Sequence, residues 1–189
     1  MANTRDRVDR DVELHFPGDR FPVTVGPVLQ STGWRGGLWV MYVDDPDEEY
    51  VVEVSDGTGA AGFLLPQSES YLNSVPNRRY GGQRGSPADW TNQRFRANIV
   101  ANVVTMVSGG TRALFEMYET TALVGANRTG ASITYTLNQP LKVSENGLLT
   151  NESDGALTGV GITSPVVVGI VSGVPRERND FRLSVDLKY

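Results

Sequence analysis

Apolar and polar residues alternate along much of the second half of the chain, as they do in β-strands that bury one face. Segments rich in β-branched and aromatic residues recur there, separated by turn-forming Gly, Asn and Asp. These segments are residues 98–108, 111–121, 133–143, 166–172 and 181–189. The pattern predicts one antiparallel strand after another, and residues 114–118 are the segment that also fits a helical turn.

The first third of the chain carries the same signal in shorter pieces. Residues 36–43 and 50–54 are apolar segments that flank an acidic stretch, which predicts a β-hairpin with an acidic loop at 44–49. A glycine turn at 55–59 and a further strand at 60–66 follow.

Two prolines mark the first predicted strand, residues 21–30. Pro22 and Pro27 lack a backbone N–H, so this strand is expected at the edge of a sheet. No segment shows the periodicity of an amphipathic helix. The predicted fold class is therefore all-β, a small antiparallel β-barrel or sandwich with an N-terminal β-hairpin region and a long irregular arm.

The arm is residues 67–97, where strand periodicity disappears and aromatic residues are interspersed with Arg. These residue types are enriched at protein interfaces, which favours an arm that orders on a neighbouring subunit over a plain linker. The predicted organisation is a flexible tail at 1–20, an N-terminal β region at 21–66, the arm at 67–97 and a C-terminal β-barrel domain at 98–189.

Charge is segregated along the chain, whose formal net charge is −5. Residues 44–69 carry acidic side chains and no Lys or Arg, whereas residues 78–96 carry five Arg and one acidic residue. Arg forms bidentate ion pairs and stacks on aromatic rings, so an assembly contact is expected. The candidate contact residues are Arg78, Arg79, Tyr80, Arg84, Trp90, Arg94 and Phe95, with Asp44, Asp45, Asp47, Glu48 and Glu49 as their electrostatic partners or as a contact with another protein.

Composition argues against most enzyme classes. The chain has no Cys and a single His, His15, so thiol chemistry, structural zinc and a serine–histidine pair find no support. Glu116 and Glu119 are the candidate carboxylate pair for a glycosidase, but a spacing of three along a strand points them to opposite faces. We expect no catalytic activity, no cofactor and no metal site; the acidic loop fits a solvated turn or contact patch better than a Ca²⁺ site.

Further expectations concern membranes and nucleic acid. The chain contains no apolar run of transmembrane length and no secretion-signal pattern at its beginning, so assembly in a cytoplasm is expected. The arginine stretch with its aromatic residues is superficially similar to a surface for single-stranded nucleic acid. Because the chain is acidic overall, a protein partner is favoured and no direct nucleic-acid binding is expected.

Two passages resemble tailed-bacteriophage head decoration proteins, which stabilise capsids. One is GLWVMYVDDPDEEYVVEVSDGTGAAGFLLPQSE at 37–69, and the other is the pair ITYTLNQPLKVSENGLLTNESDG at 133–155 and VVVGIVSGVPRERNDFRLSVDLKY at 166–189. The resemblance implies a structural virion protein on the outer capsid surface that bridges major capsid protein subunits. It also implies self-association, with a trimer favoured.

Two other functions stay open at this point. Tail and baseplate proteins use similar small β-barrels, and their low copy number separates them from decoration proteins. A carbohydrate-binding module is the second, with Trp34, Trp39 or Trp90 stacking on sugar. Trp39 fits a core position better, because it lies within an apolar strand.

Overall fold

The structure is a computed structural model that describes residues 12–14, 19–32, 35–65, 103–123 and 130–188. Within these ranges most regular elements are β-strands, and the helices are short. The strands are β1 Val12–Leu14, β2 Asp19–Val25, β3 Trp39–Tyr42, β4 Val51–Val54, β5 Gly62–Leu64, β6 Val103–Gly109, β7 Arg112–Phe115, β8 Pro140–Val143, β9 Leu149–Thr150, β10 Val167–Gly173 and β11 Leu183–Leu187. The helices are α1 Pro27–Thr32, α2 Asp154–Thr158 and a 3-10 helix at Glu177–Asn179. The predicted all-β class is confirmed.

Five strands close into a barrel in the order β2-β4-β3-β5-β6. The pairs are antiparallel except β2 with β4, which run parallel, with Thr24 opposite Val51. The predicted hairpin is confirmed by the β3–β4 pair, in which Tyr42 lies opposite Val52. At one end of the barrel, β2, β4 and β5 begin while β3 and β6 end; we call this the loop end. The other is the helix end, because α1 follows β2 there.

The remaining strands form an open six-stranded sheet in the order β1-β7-β11-β10-β8-β9. This arrangement differs from the expected division of the chain. The closed barrel contains the strands of the N-terminal region, and β6, which lies beyond position 98, completes it. Conversely Val12–Leu14, expected in a flexible tail, form β1 and pair with β7 of the C-terminal sheet. The predicted arm at 67–97 lies outside the described residues.

The two sheets are joined by a common core. Alternation along β3 sends Val40 into the barrel interior and Trp39 toward the six-stranded sheet. The rings of Trp39 and Phe63 from the barrel meet Phe115 of β7, with centroids 6.4 and 5.0 Å from it. Because these side chains are almost completely buried, the barrel and the sheet stabilise each other.

The first predicted strand corrects two expectations. It ends at Val25, and Pro27 begins α1, a position where the missing N–H costs nothing. The strand is also not an edge strand, since β2 pairs with β6 on one side and β4 on the other. The N–H groups of Thr24 and Gly26 point toward β4, so the nitrogen of Pro22 faces the same side. Pro22 is tolerated because the ladder with β4 covers only Thr24 and Val25 and needs no N–H at position 22.

Candidate functional site

The predicted contact residues fall in two parts of the chain. One group, Arg78, Arg79, Tyr80, Arg84, Trp90, Arg94 and Phe95, lies outside the described residues. The carboxylates of the acidic loop, residues 44–49, lie within them. The candidate surface is therefore built from the β3–β4 hairpin and the strand ends beside it.

The acidic loop leaves the hairpin ladder after Val43, whose N–H donates to the Val51 carbonyl at 3.0 Å. Asp45 Oδ1 accepts the N–H groups of Asp47 and Glu48, at 2.9 and 3.1 Å, and so holds the turn together. Asp45 is half-buried, whereas Asp44, Asp47, Glu48 and Glu49 are exposed. The loop therefore presents four carboxylates to solvent, while the fifth organises the backbone.

Exposed aromatic side chains lie at the same end of the barrel as the acidic loop. Phe21 is near the beginning of β2, Tyr42 is the last residue of β3 and Tyr50 precedes β4, and they are 47, 51 and 65% exposed. All three positions belong to the loop end. Exposed aromatic rings beside a charged loop are typical of protein-binding surfaces.

Tyr50 has a strained backbone, with φ at 58°. This left-handed region is costly for a large side chain, yet the ring is exposed and gains little from burial. The carbonyl of Tyr50 accepts the N–H of Thr24 at 3.1 Å, which ties the end of the acidic loop to β2. Strain held in this way by the surrounding structure is common at binding sites.

The helix end is closed by α1, which places Leu29 in the barrel interior. The Glu53 carboxylate accepts the N–H groups of Val28 and Leu29, at 2.8 and 3.0 Å, and caps the first turn of the helix. Gly26 permits this approach, because a Cβ there would collide with the carboxylate. Glu53 thus serves the fold, although it belongs to the same acidic stretch as the loop.

The β3–β4 hairpin and its acidic loop carry negative charge. No Lys or Arg occurs between positions 36 and 65. The ion pairs Arg112–Asp186, Lys142–Asp154 and Arg182–Asp180 lie in the six-stranded sheet and its connections, and none of them uses a loop carboxylate. Carboxylates beside aromatic rings form a surface that suits an arginine side chain. The carboxylates can form a bidentate ion pair with the guanidinium, and the rings can stack on its plane.

The two candidate glycosidase residues, Glu116 and Glu119, have different surroundings. Glu116 is exposed, whereas Glu119 is 2% exposed and accepts a 2.6 Å hydrogen bond from the Ser144 hydroxyl. Tyr135 donates to the Glu119 carbonyl at 2.6 Å. Burial, with a smaller effect of the Glu119 carboxylate, raises the pKa of Tyr135. This buried polar cluster joins chain segments to each other rather than lining a cleft shared with Glu116.

Of the three tryptophans proposed for sugar stacking, Trp39 lies within the described residues. Trp39 is 2% exposed in the shared core, which confirms the core interpretation for this residue. Its Nε1 has no hydrogen-bond partner among the described residues. Trp34 and Trp90 lie outside the described residues.

Among the described residues, no group of three or more His, Cys, Asp or Glu side chains is arranged to hold a metal ion. Neither of the α-helices described there has the length and apolar character needed to cross a membrane.

The chain was compared with protein-family models, curated proteins and solved structures, and none of them matches. The candidate surface therefore depends on geometry. Sequence reasoning found the acidic loop but missed the aromatic residues beside it. Tyr42 and Tyr50 flank the loop closely and could have been noticed, whereas Phe21 joins them only through the pairing of β2 into the barrel.

Proposed function

We propose that this chain is a non-enzymatic structural protein of a bacteriophage virion, which binds the outer surface of an icosahedral capsid and stabilises it by bridging major capsid protein subunits. The resemblance in residues 37–69, 133–155 and 166–189 first suggests this role. Residues 37–69 include the hairpin, its acidic loop and β5, which form one side of the barrel.

The observation that supports the proposal best is that the barrel and the six-stranded sheet share one buried core. This rigid body also exposes acidic and aromatic side chains at the loop end of the barrel. A protein that bridges capsid subunits gains from rigidity, since a stiff body loses little conformational entropy when it binds. It stabilises the assembled shell because it adds buried interface to that state alone. Repetition across a lattice strengthens weak individual contacts.

The proposal is tested by quantitative peptide mass spectrometry of purified virions, scaled to the major capsid protein. We expect a copy number comparable with that of the capsid subunit. A few copies per particle would contradict decoration and favour a tail or baseplate protein. Absence from virions would overturn the proposal, and a glycan-binding screen would then test the carbohydrate-binding alternative.

A further inference from the structure

We propose that the loop end of the barrel binds an extended, proline-containing segment of a partner protein that carries arginine. The binding surface consists of Phe21, Tyr50 and Tyr42, which we call the aromatic rim, and of the acidic loop beside it. The inference goes beyond the proposed function, because it assigns a surface and the chemistry of its ligand without depending on a virion.

The first argument is the stagger of the strands that carry the aromatic rim. The parallel register of β2 and β4 places Tyr50 opposite Val23, two residues beyond Phe21. Tyr42 pairs with Val52, two residues beyond Tyr50 in the same direction. A closed barrel requires such a stagger, because its strands tilt relative to the barrel axis. The three residues therefore follow one another along the end of the barrel, as diagonal neighbours about 8 Å apart.

The second argument is the direction of the rings on β2 and β3. Val23 of β2 and Val40 of β3 belong to the core inside the barrel. Phe21 and Tyr42 each lie two residues from one of these valines, and therefore on the same face of the strand. Their rings stand over the mouth of the barrel, yet they are 47 and 51% exposed. The mouth thus offers aromatic surface that the fold itself leaves uncovered.

The spacing of the aromatic rim favours an extended ligand. Three residues at steps of about 8 Å cover about 16 Å. A polyproline II helix rises about 9 Å for each turn of three residues, so successive turns can contact successive rings. A proline-containing segment is already extended before it binds and loses little entropy, and aromatic grooves recognise such segments for that reason.

The acidic loop favours arginine within that segment. The loop leaves the hairpin ladder after Val43 and ends at Tyr50, so its exposed carboxylates lie next to the aromatic rim. Arg forms bidentate ion pairs with carboxylates and also stacks on aromatic rings, whereas Lys lacks the planar group. Charge complementarity therefore specifies a basic partner segment, and the rings specify arginine.

The test is isothermal titration calorimetry of the full chain with synthetic peptides at low salt. The probe is PPRPPRPP in one-letter code, and its controls are PPEPPEPP and GGRGGRGG. We expect saturable binding of the probe. The glutamate peptide should bind at least about tenfold more weakly, because like charges then meet. The glycine peptide should bind severalfold more weakly, because it must lose more conformational freedom.

Variants of the chain locate the bound peptide. Tyr42→Ser removes one ring of the aromatic rim, and Tyr50→Asn removes another while placing a residue that tolerates positive φ. Each should weaken binding of the probe severalfold without lowering the unfolding temperature. Glu48→Lys with Glu49→Lys should weaken it at least about tenfold.

Matched controls lie in connections of the six-stranded sheet. Phe181→Asn removes an exposed ring, also at a position with positive φ. Glu116→Lys with Glu177→Lys reverses two exposed carboxylates. Both should bind the probe like wild type.

Three results would overturn the inference. They are no binding of the probe at about 1 mM, equal binding of the probe and the glutamate peptide, and variants of the rim and loop that bind like wild type. Tighter binding of the probe by Arg78→Glu with Arg79→Glu would also overturn it, since the chain's own arginines would then occupy the surface. No capsid is present, so these results are independent of the virion copy number that tests the proposed function.

Discussion

At the scale of single residues, Glu119 and Tyr135 fasten a connecting segment to the edge of the six-stranded sheet. The N–H of Glu119 donates to the Leu149 carbonyl at 2.8 Å, and Tyr118 bridges to Leu149. The Tyr135 hydroxyl lies 2.6 Å from the Glu119 carbonyl and 3.2 Å from that of Leu149. These bonds cover β9, an edge strand that would otherwise offer free backbone groups to another chain.

Removing the buried carboxylate should destabilise the fold. Glu119→Ala leaves the Ser144 hydroxyl without this acceptor and opens space in a buried site. We expect the free energy of unfolding in urea to fall by about 2–4 kcal/mol. Glu116→Ala, at an exposed position, is the matched control and should change it by less than about 0.5 kcal/mol. Equal effects of the two substitutions would contradict the role assigned to Glu119.

The phenol of Tyr135 predicts a loss of stability at alkaline pH. Its pKa is raised in the folded state by burial, so above its ordinary value of 10.0 the unfolded chain releases a proton that the folded chain keeps. Stability is therefore unaffected below that pH and declines as pH rises beyond it. Unfolding midpoints measured across this range should decline less steeply for Tyr135→Phe than for wild type. Parallel profiles would refute the assignment; some decline should persist in the variant, since burial also raises the pKa of Tyr118.

At the scale of elements, the β3–β4 hairpin contributes residues to both ends of the barrel. Its loop presents carboxylates at the loop end, and Glu53 of β4 caps α1 at the helix end. An α-helix as short as α1 gains little from its own hydrogen bonds, so it depends on this cap and on burial of Leu29.

The cap gives a direct prediction. Glu53→Ala should lower the free energy of unfolding by about 1–2 kcal/mol, since two backbone N–H groups lose their acceptor. Glu53→Gln keeps one acceptor oxygen and should lose less. Glu48→Ala, in the exposed loop of the same hairpin, should leave urea unfolding nearly unchanged. A Glu53→Ala variant as stable as Glu48→Ala would show that the carboxylate does not support α1.

Element boundaries show where sequence patterns were informative. The hairpin and β5 were predicted close to their observed positions, because short apolar segments flank strong turn signals there. Two predicted strands were longer than the observed ones, because the ladder stops where the chain turns. The predicted strand at 133–143 pairs as β8 only from Pro140, after a turn in which Asn138 has φ at 64°. The predicted strand at 111–121 ends as β7 at Phe115.

At the scale of the whole molecule, the shared aromatic core makes the barrel and the sheet one unit. Phe115 belongs to the sheet, while Trp39 and Phe63 belong to the barrel, and all three are at most 2% exposed. Loss of either sheet would expose the rings of the other.

We therefore expect a single cooperative unfolding transition. Near-UV circular dichroism, which reports the packing of aromatic side chains including those of the shared core, should change together with the far-UV signal of the strands. Phe115→Ala should lower the free energy of unfolding by about 3–5 kcal/mol and shift both signals equally. Two separate transitions would instead support independent N-terminal and C-terminal domains.

The sequence by itself determined the all-β class, the hairpin and the segregation of charge. These features follow from local alternation, turn residues and composition, which act over a few neighbouring positions. Only the tertiary structure decided that β6 closes the barrel, that β1 joins the C-terminal sheet and that Phe21 lies at the same end as the acidic loop. These pairings join residues far apart in the chain, and they depend on which apolar faces can be buried together, a property that no single segment encodes.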